Sequence, residues 1–226
     1  MEYLYETHCH SAGGSKCAHS TTSELVRAYH VAGYTGLVLT DHFVLGNTAV
    51  DRTLPWVEQM NRYYDAYLEG KTAAQELDFD LIFGIEHACD GAEFLCYGID
   101  LDFLLAHPEI PQLSLDDFVT LARDYGAVVV QAHPFRWTPA GTPLRQDLLD
   151  GIEVYNAANN SGANAAAQAC AAGICTSGGD IHIATDPRIG RAGILLPQRA
   201  VDAKALARLL KQQNYRLLID GEVKNL

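Results

Sequence analysis

Short apolar runs alternate along this chain with segments of helical period, and polar residues fall where the runs stop. Runs rich in β-branched, aliphatic or aromatic residues at 1–5, 36–40, 79–83, 93–98, 127–131, 151–155, 174–177 and 215–220 predict strands. Helices are predicted over about residues 24–32, 55–69, 114–125, 162–172 and 203–213. Ser20, Thr21, Thr22 or Ser23 can cap the first, and Gly33 ends it. Pro55 suits the first turn of the second, whose Trp56, Met60, Tyr63, Tyr64 and Tyr67 recur at helical spacing and read as a face packed on a core. Asp116 and Asp117 favour the start of the third through the helix dipole. Strands separated by helices imply parallel βα units. No internal repeat, low-complexity tract or linker interrupts them, so residues 1–226 are expected to form one α/β domain, a closed or distorted β/α barrel. In such folds the ligand site lies at the C-terminal ends of the strands.

Polar signals sit at those ends. His8 and His10 are two residues apart, a spacing that cannot share a helix face but does share one face of a strand. Thr40-Asp41-His42, Gly84-Ile85-Glu86, Ala132-His133-Pro134 and Gly179-Asp180-Ile181-His182 each follow an apolar run. His8, His10, His42, His133 and His182, with Glu86 and Asp180, offer more donors than one cation uses, since zinc usually takes four. A cluster of two or three divalent ions, with Glu86 bridging, fits better. Mixed imidazole and carboxylate donors suit zinc, manganese or iron. Two metals about 4 Å apart activate water and clamp a phosphoryl group, so phosphate-ester hydrolysis is the reaction expected of such a site.

The formal net charge of −12 disfavours a basic nucleic-acid-binding surface, although bound cations reverse the sign locally. No run approaches the roughly 20 apolar residues that span a bilayer. Acidic Glu2 and Glu6 interrupt any leader-like pattern at the start. Six cysteines without a CxxC spacing read as reduced thiols, so a cytoplasmic protein is expected, with no membrane partner.

The HxH at His8 and His10, the Thr40-Asp41-His42 and Gly84-Ile85-Glu86 segments, and those around His133 and Asp180–His182 together resemble the five motifs of the PHP family (polymerase and histidinol phosphatase), in order and over essentially the whole chain. The resemblance implies a distorted barrel of seven β/α units, TIM-barrel-like, with a di- or trinuclear metal centre and phosphoesterase activity. It implies that His8, His10, Glu86 and Asp180 hold one metal, Glu86 and His133 a second, and His42 and His182 a third. It departs from the family in two places. Glu93 stands where many relatives have a histidine, and glutamate can still bind metal. The loop after His10 is longer and lacks the usual Asp. It offers Cys17-Ala18-His19, which is similar to the Cys-Gly-His segment of histidinol-phosphate phosphatases, and His19 is the expected third-metal ligand.

The expected function is therefore a metal-dependent phosphatase acting on a small phosphomonoester, histidinol phosphate or a nucleotide, with Glu86, Asp180 and His182 as catalytic groups. Arg136, three residues beyond His133, is best placed to grip phosphate; Arg188 and Arg191 are weaker candidates. Glu153, Tyr155 and Asn156 line the pocket or support its ligands. His30, His107 and His87 read as structural. A phosphodiesterase or exonuclease on short nucleotides is the alternative enzyme, with long nucleic acid not expected as a partner; a metal-binding domain without turnover is the alternative outside enzymes. Loops 11–20, 43–54 and 136–147 are expected to set specificity.

Overall fold

A computed structural model describes residues 2–136 and 145–225. Residues 137–144, most of the third loop expected to set specificity, lie outside the described residues.

The elements follow one another as β1 (Tyr3–Cys9), α1 (Thr22–Val31), β2 (Gly36–Leu39), α2 (Trp56–Glu69), α3 (Lys71–Glu76), β3 (Asp80–Cys89), β4 (Ala92–Tyr97), α4 (Leu101–Ala106), α5 (Leu115–Asp124), β5 (Val128–Gln131), β6 (Gly151–Asn156), α6 (Ser161–Ala169), β7 (Ile174–Gly178), β8 (Ala192–Leu196), α7 (Ala203–Gln212), β9 (Arg216–Ile219) and β10 (Glu222–Lys224). Thr21 caps α1 in a capping box with Glu24, and Ser114 caps α5 through the Asp117 amide.

Ten strands form one sheet in the order β10-β9-β8-β1-β2-β3-β4-β5-β6-β7. The ladders β1–β2, β2–β3, β5–β6 and β6–β7 are parallel, and the other five are antiparallel. The expectation of seven repeated β/α units therefore gives way to a mixed α/β sheet. Two features break the pattern: β3 continues six residues past its pairing with β2, turns through Asp90-Gly91 and returns as β4 between two parallel pairs of ladders, and β8, β9 and β10 add to the other side of β1 antiparallel.

The sheet curls until its far strand reaches its first. Thr7 donates its hydroxyl to the Ser177 carbonyl at 2.9 Å, the Asp180 amide donates to the His8 carbonyl at 2.8 Å, and Cys9 bridges Ile181 in parallel. Gly178 makes this approach possible, because a Cβ there would lie 2.3 Å from Glu153 Oε1 and 2.4 Å from the His8 Cβ. Apolar side chains fill both faces. One layer gathers Tyr29, Phe43, Met60, Phe83, Phe103 and Phe118 beneath the helices that follow β2 to β4; another holds Val38, Ile82, Leu95, Val130 and Leu210. Most of these strand residues are almost fully buried, as near-continuous apolar runs in a covered sheet should be.

Candidate metal centre

The parallel strands exit at one end, and their polar ends meet there. His8 and His10 leave β1 with their Nε2 atoms 3.1 Å apart. The outer nitrogen of each ring is taken: His8 Nδ1 lies 3.0 Å from Glu153 Oε1, and His10 Nδ1 lies 3.2 Å from the Ser15 hydroxyl. Each imidazole is thus oriented by a supporting group so that Nε2 faces inward. Glu86 sits in mid-strand rather than at a strand end, opposite Leu95 of the β3–β4 hairpin. Its Oε1 lies 3.2 Å from His8 Nε2 and 2.9 Å from His133 Nε2, and its Oε2 lies 2.7 Å from His42 Nδ1. The chain beyond β2 fixes His42 there, because Phe43 donates to the Glu86 carbonyl and Glu86 donates to the Asp41 carbonyl. Glu93, at the start of β4, lies 3.5 Å from His42 and 3.3 Å from His133. Asp180 Oδ1 lies 3.2 Å from His10 Nε2 and 3.7 Å from His8 Nε2.

Two of these residues hold unusual backbone. His133 (φ 27°) and Asp180 (φ 52°) both have positive φ, which costs free energy unless the surroundings fix it. The His133 amide donates to Glu153 at 2.7 Å and the Asp180 amide to His8, and these bonds hold both conformations.

Carboxylate charge dominates the electrostatics. Burial raises the Glu86 and Asp180 carboxyls, but the neighbouring imidazoles, His8 foremost in each case, hold both well below the ordinary range. Burial likewise lowers His42 and His133, yet the Cys17 thiol and Glu86 carboxylate beside His42, and Glu86 and Glu93 beside His133, lift them to about 10 and about 9. Protons on histidines here balance buried carboxylates, a role a divalent cation also fills. The fit to metal has a second sign. Glu86 Oε2 and His42 Nδ1 are both buried and only 2.7 Å apart, yet neither makes a well-angled hydrogen bond. Four overlapping groups have donor atoms within 4.8 Å of one another: His8, His10 and Asp180; His8, Glu86 and His133; His42, Glu86 and Glu93; and His10, His42 and His182. These donors fit a cluster of divalent ions.

Of the sequence-predicted metal ligands, the fold gathers all but His19. His19 is bound at its backbone to the His182 carbonyl, 2.8 Å away, while its side chain is exposed and belongs to none of the four groups. Cys17, half-buried in the same loop, belongs to none of them either. Burial pushes its thiol up, and the His182 and His42 imidazoles outweigh this, bringing it down to about 6.

Arg136 reaches Asp180 Oδ2 at 2.5 Å, Asn156 at 2.9 Å and Asn159 at 2.8 Å, so it stands at the rim. Arg188 pairs with Asp186, and Arg191 pairs with Asp220 away from the centre. Tyr155 likewise bonds to Asp220. His87 is buried against Phe118 at 4.3 Å with neither ring nitrogen hydrogen-bonded; His30 is exposed near Phe79; His107 pairs with Glu109. Supports that sequence reasoning passed over are Glu6, Ser11 and Ser15. Glu6 accepts from the Thr7, His8 and Gly179 amides and the Tyr29 hydroxyl, stapling the exit of β7 to β1. Asp41 accepts from the Ser11 amide and hydroxyl and the Ser15 hydroxyl, each at 2.7 Å, folding the loop after His10. Apolar periodicity carries no trace of these loop contacts.

Two clefts open onto the centre. One of about 640 Å³ runs along Ala88, Gly91, Glu93, His133 and Phe135, and one of about 450 Å³ along Asn159, Asp180, His182 and Arg188; Arg136 lines both. All six cysteines are free, and no helix among the described residues is long and apolar enough to cross a membrane.

No protein-family model matches the chain, and no curated protein matches it. Solved structures do. A two-domain protein from Bacteroides vulgatus, described as containing a predicted PHP-like metal-dependent phosphoesterase, superposes with TM-score 0.72 at 16% identity, over 99% of this chain and 66% of its own. This chain thus spans just under two thirds of that protein. A protein from Bifidobacterium adolescentis named as a metal-dependent phosphoesterase gives TM-score 0.57 at 17% identity, over 91% of this chain and 95% of its own. Endonuclease Q, solved with a 27-mer duplex carrying an abasic lesion at its active site, gives TM-score 0.61 at 11% identity, over 94% of this chain and 57% of its own. That complex corrects the expectation against long nucleic acid. Net charge is a property of the whole surface, and cations at a cluster reverse its sign where a phosphate would sit. The fold is that of the PHP-like metal-dependent phosphoesterases, and side chains from all five sequence motifs meet in it, four at strand exits and Glu86 from within β3.

Proposed function

We propose that the chain is a metal-dependent phosphoesterase that hydrolyses phosphate monoesters. The observation that carries this is the convergence of four overlapping donor groups on one strand-exit face, with Arg136 at its rim. The chemistry that cations supply when bound here is activation of water and neutralisation of phosphoryl charge. His8, His10, Glu86 and Asp180 would hold one cation, Glu86, Glu93 and His133 a second, and His42 and His182 a third. Glu86 lies within 3.6 Å of four histidines, His8, His10, His42 and His133, and would be the bridging group. Glu153 and Ser15 keep His8 and His10 presenting Nε2. Arg136 is held by Asp180, Asn156 and Asn159, so its charge is already in place to orient a phosphate entering either cleft. The substrate class favoured is a small phosphorylated metabolite such as histidinol phosphate or a nucleotide, bound with its organic part in the larger cleft.

A phosphodiester of nucleic acid is the second reading, favoured by the likeness to Endonuclease Q. One panel tests both. Protein stripped by chelator and reloaded with manganese, zinc or iron is offered an aryl phosphate, phosphomonoesters, cyclic and linear diesters, and an abasic duplex. Chelator-sensitive turnover of monoesters above diesters is expected, and Glu86→Ala should cost more activity than Arg136→Ala. Equal activity of wild type and Glu86→Ala on every ester would refute the assignment.

A further inference from the structure

The turn from His133 to Arg136 carries a bulky ring where its geometry favours glycine. Arg136 donates its amide to the His133 carbonyl at 3.2 Å, closing a four-residue turn with Pro134 second and Phe135 third. Phe135 has φ 68°. Proline at the second position and positive φ at the third mark a type II turn, whose third position suits glycine or asparagine. A bulky residue with positive φ is held there only by its surroundings, and such strain gathers where a site must be kept in shape.

The surroundings are α6. The Phe135 side chain is 8% exposed and packs on Ala163 and Ala167 of that helix, with Ala166 and Cys170 alongside, in a small cluster apart from the two main apolar layers. Asn164, next to Ala163, exchanges two hydrogen bonds of 3.0 Å with the backbone of Asn156, whose side-chain oxygen accepts from Arg136. One helix thus seats the ring and holds a partner of Arg136. At the other end of the turn, His133 Nε2 faces Glu86 and Glu93, and the His133 amide is fixed by Glu153.

We propose that Phe135 is a positioning residue: seated on α6, its ring holds the turn so that Arg136 stays in register with His133 and the cations beside it. The inference rests on the metal-dependent phosphoesterase reading and goes beyond it, because Phe135 acts through Arg136 rather than on the phosphate. Glycine would suit the backbone of the turn better and would leave it without a seat. A displacement of about 1 Å in a group that orients the reacting phosphate can cost about 100-fold. The ring also lines the larger cleft, where the organic part of a substrate is proposed to lie, so inorganic phosphate, which has none, is the cleaner probe.

Each variant is loaded with manganese, and its metal content, its affinity for inorganic phosphate by calorimetry and its kcat/KM on an aryl phosphate are read. Phe135→Gly should keep the metal content of the wild type, since Glu153 still holds the His133 amide, and should lose phosphate affinity and up to about 100-fold in kcat/KM. In an Arg136→Ala background the same substitution should change neither, because a residue that acts through Arg136 has nothing left to position. Phe135→Leu, which keeps an apolar anchor, should show a smaller loss, equally absent beside Arg136→Ala, and it carries the test if Phe135→Gly does not fold. Losses that persist at full size in the Arg136→Ala background, or phosphate affinity and kcat/KM unchanged in the folded single variants, would overturn the proposal and leave the phosphoesterase standing. A metal-loaded wild type that turns over no phosphate ester would remove both.

Discussion

Glu153 touches none of the inward-facing donor atoms, yet three contacts of the centre run through it: His8 Nδ1, the His133 amide in its left-handed conformation, and Asn156 Nδ2 at 2.9 Å, whose oxygen in turn accepts from Arg136. Glu153→Gln keeps the shape and removes the charge that fixes the His8 ring. Supporting groups of this kind are worth about 10–100-fold in metal affinity or activity. A loss in that range, read by metal titration of the folded variant, is the expected outcome, and an unchanged affinity would show that His8 needs no such partner. Acidity acts on the same residues. His42 and His133, at about 10 and about 9 without metal, carry protons at neutral pH that a cation must displace. Metal binding should therefore release protons, and affinity should rise as pH rises toward those values and fall on acidification. Calorimetry in two buffers of different ionisation enthalpy measures the proton count; equal heats in both would contradict it. Most of the expected ligands were legible in the sequence as polar residues following apolar runs; Glu93, which precedes its run, was legible only through the family resemblance. The supporting roles of Ser11 and Ser15 were not legible, because nothing in residues 11–20 fixes the path that Asp41 imposes on them.

Among the elements, strands buried on both faces announced themselves as continuous apolar runs, and α1, α2, α5 and α7 as amphipathic periods, with side-chain caps at all but α2. The elements that the pattern concealed are the short ones. α4 has six residues and one Asp100 cap, too few turns for a period to show. β8 carries Gly193 with φ 152° and follows β7 with no helix between them, pairing antiparallel with β1 and β9. The apolar run predicts β3 over residues 79–83, whereas the strand runs on to Cys89 and carries Glu86 inward. The junction of β7 with β1 makes its own prediction. Gly178→Ala places a methyl group against Glu153 and the His8 Cβ, where backbone leaves little room to yield. Overpacking of this sort costs about 1–3 kcal/mol. Chemical denaturation should show a loss of that size together with weakened metal binding, whereas Gly91→Ala, in open space but at φ 77°, should leave metal binding alone.

At the scale of the molecule, the cations would act as struts. Their donors come from β1, the end of β2, β3, β4, the end of β5 and the exit of β7, so one cluster would tie the hairpin insertion to both halves of the curled sheet. A ligand that binds only the folded chain stabilises it by about 2.7 kcal/mol at a hundred times its dissociation constant. Thermal melting should rise on adding zinc or manganese and fall on adding chelator, and Glu86→Ala should abolish the difference. A melting temperature indifferent to metal in the wild type would mean that the struts carry no weight. The sequence made the α/β class and the strand-exit site legible, but it did not disclose a ten-stranded mixed sheet, because ladder direction depends on how the chain returns at Asp90-Gly91 and Asp220-Gly221.

The closure of β7 onto β1 also sets an order of events during synthesis. His8 and His10 leave the ribosome first, and Asp180 and His182 come last among the ligands. The group His8, Glu86 and His133 needs no residue beyond β6, whereas Arg136 lacks its Asp180 partner until the exit of β7 arrives. An ion taken up at that half-site would be sealed in only by the last third of the chain. The choice of metal would then fall in two stages, first to His8, Glu86 and His133 and then to the donors that follow β7.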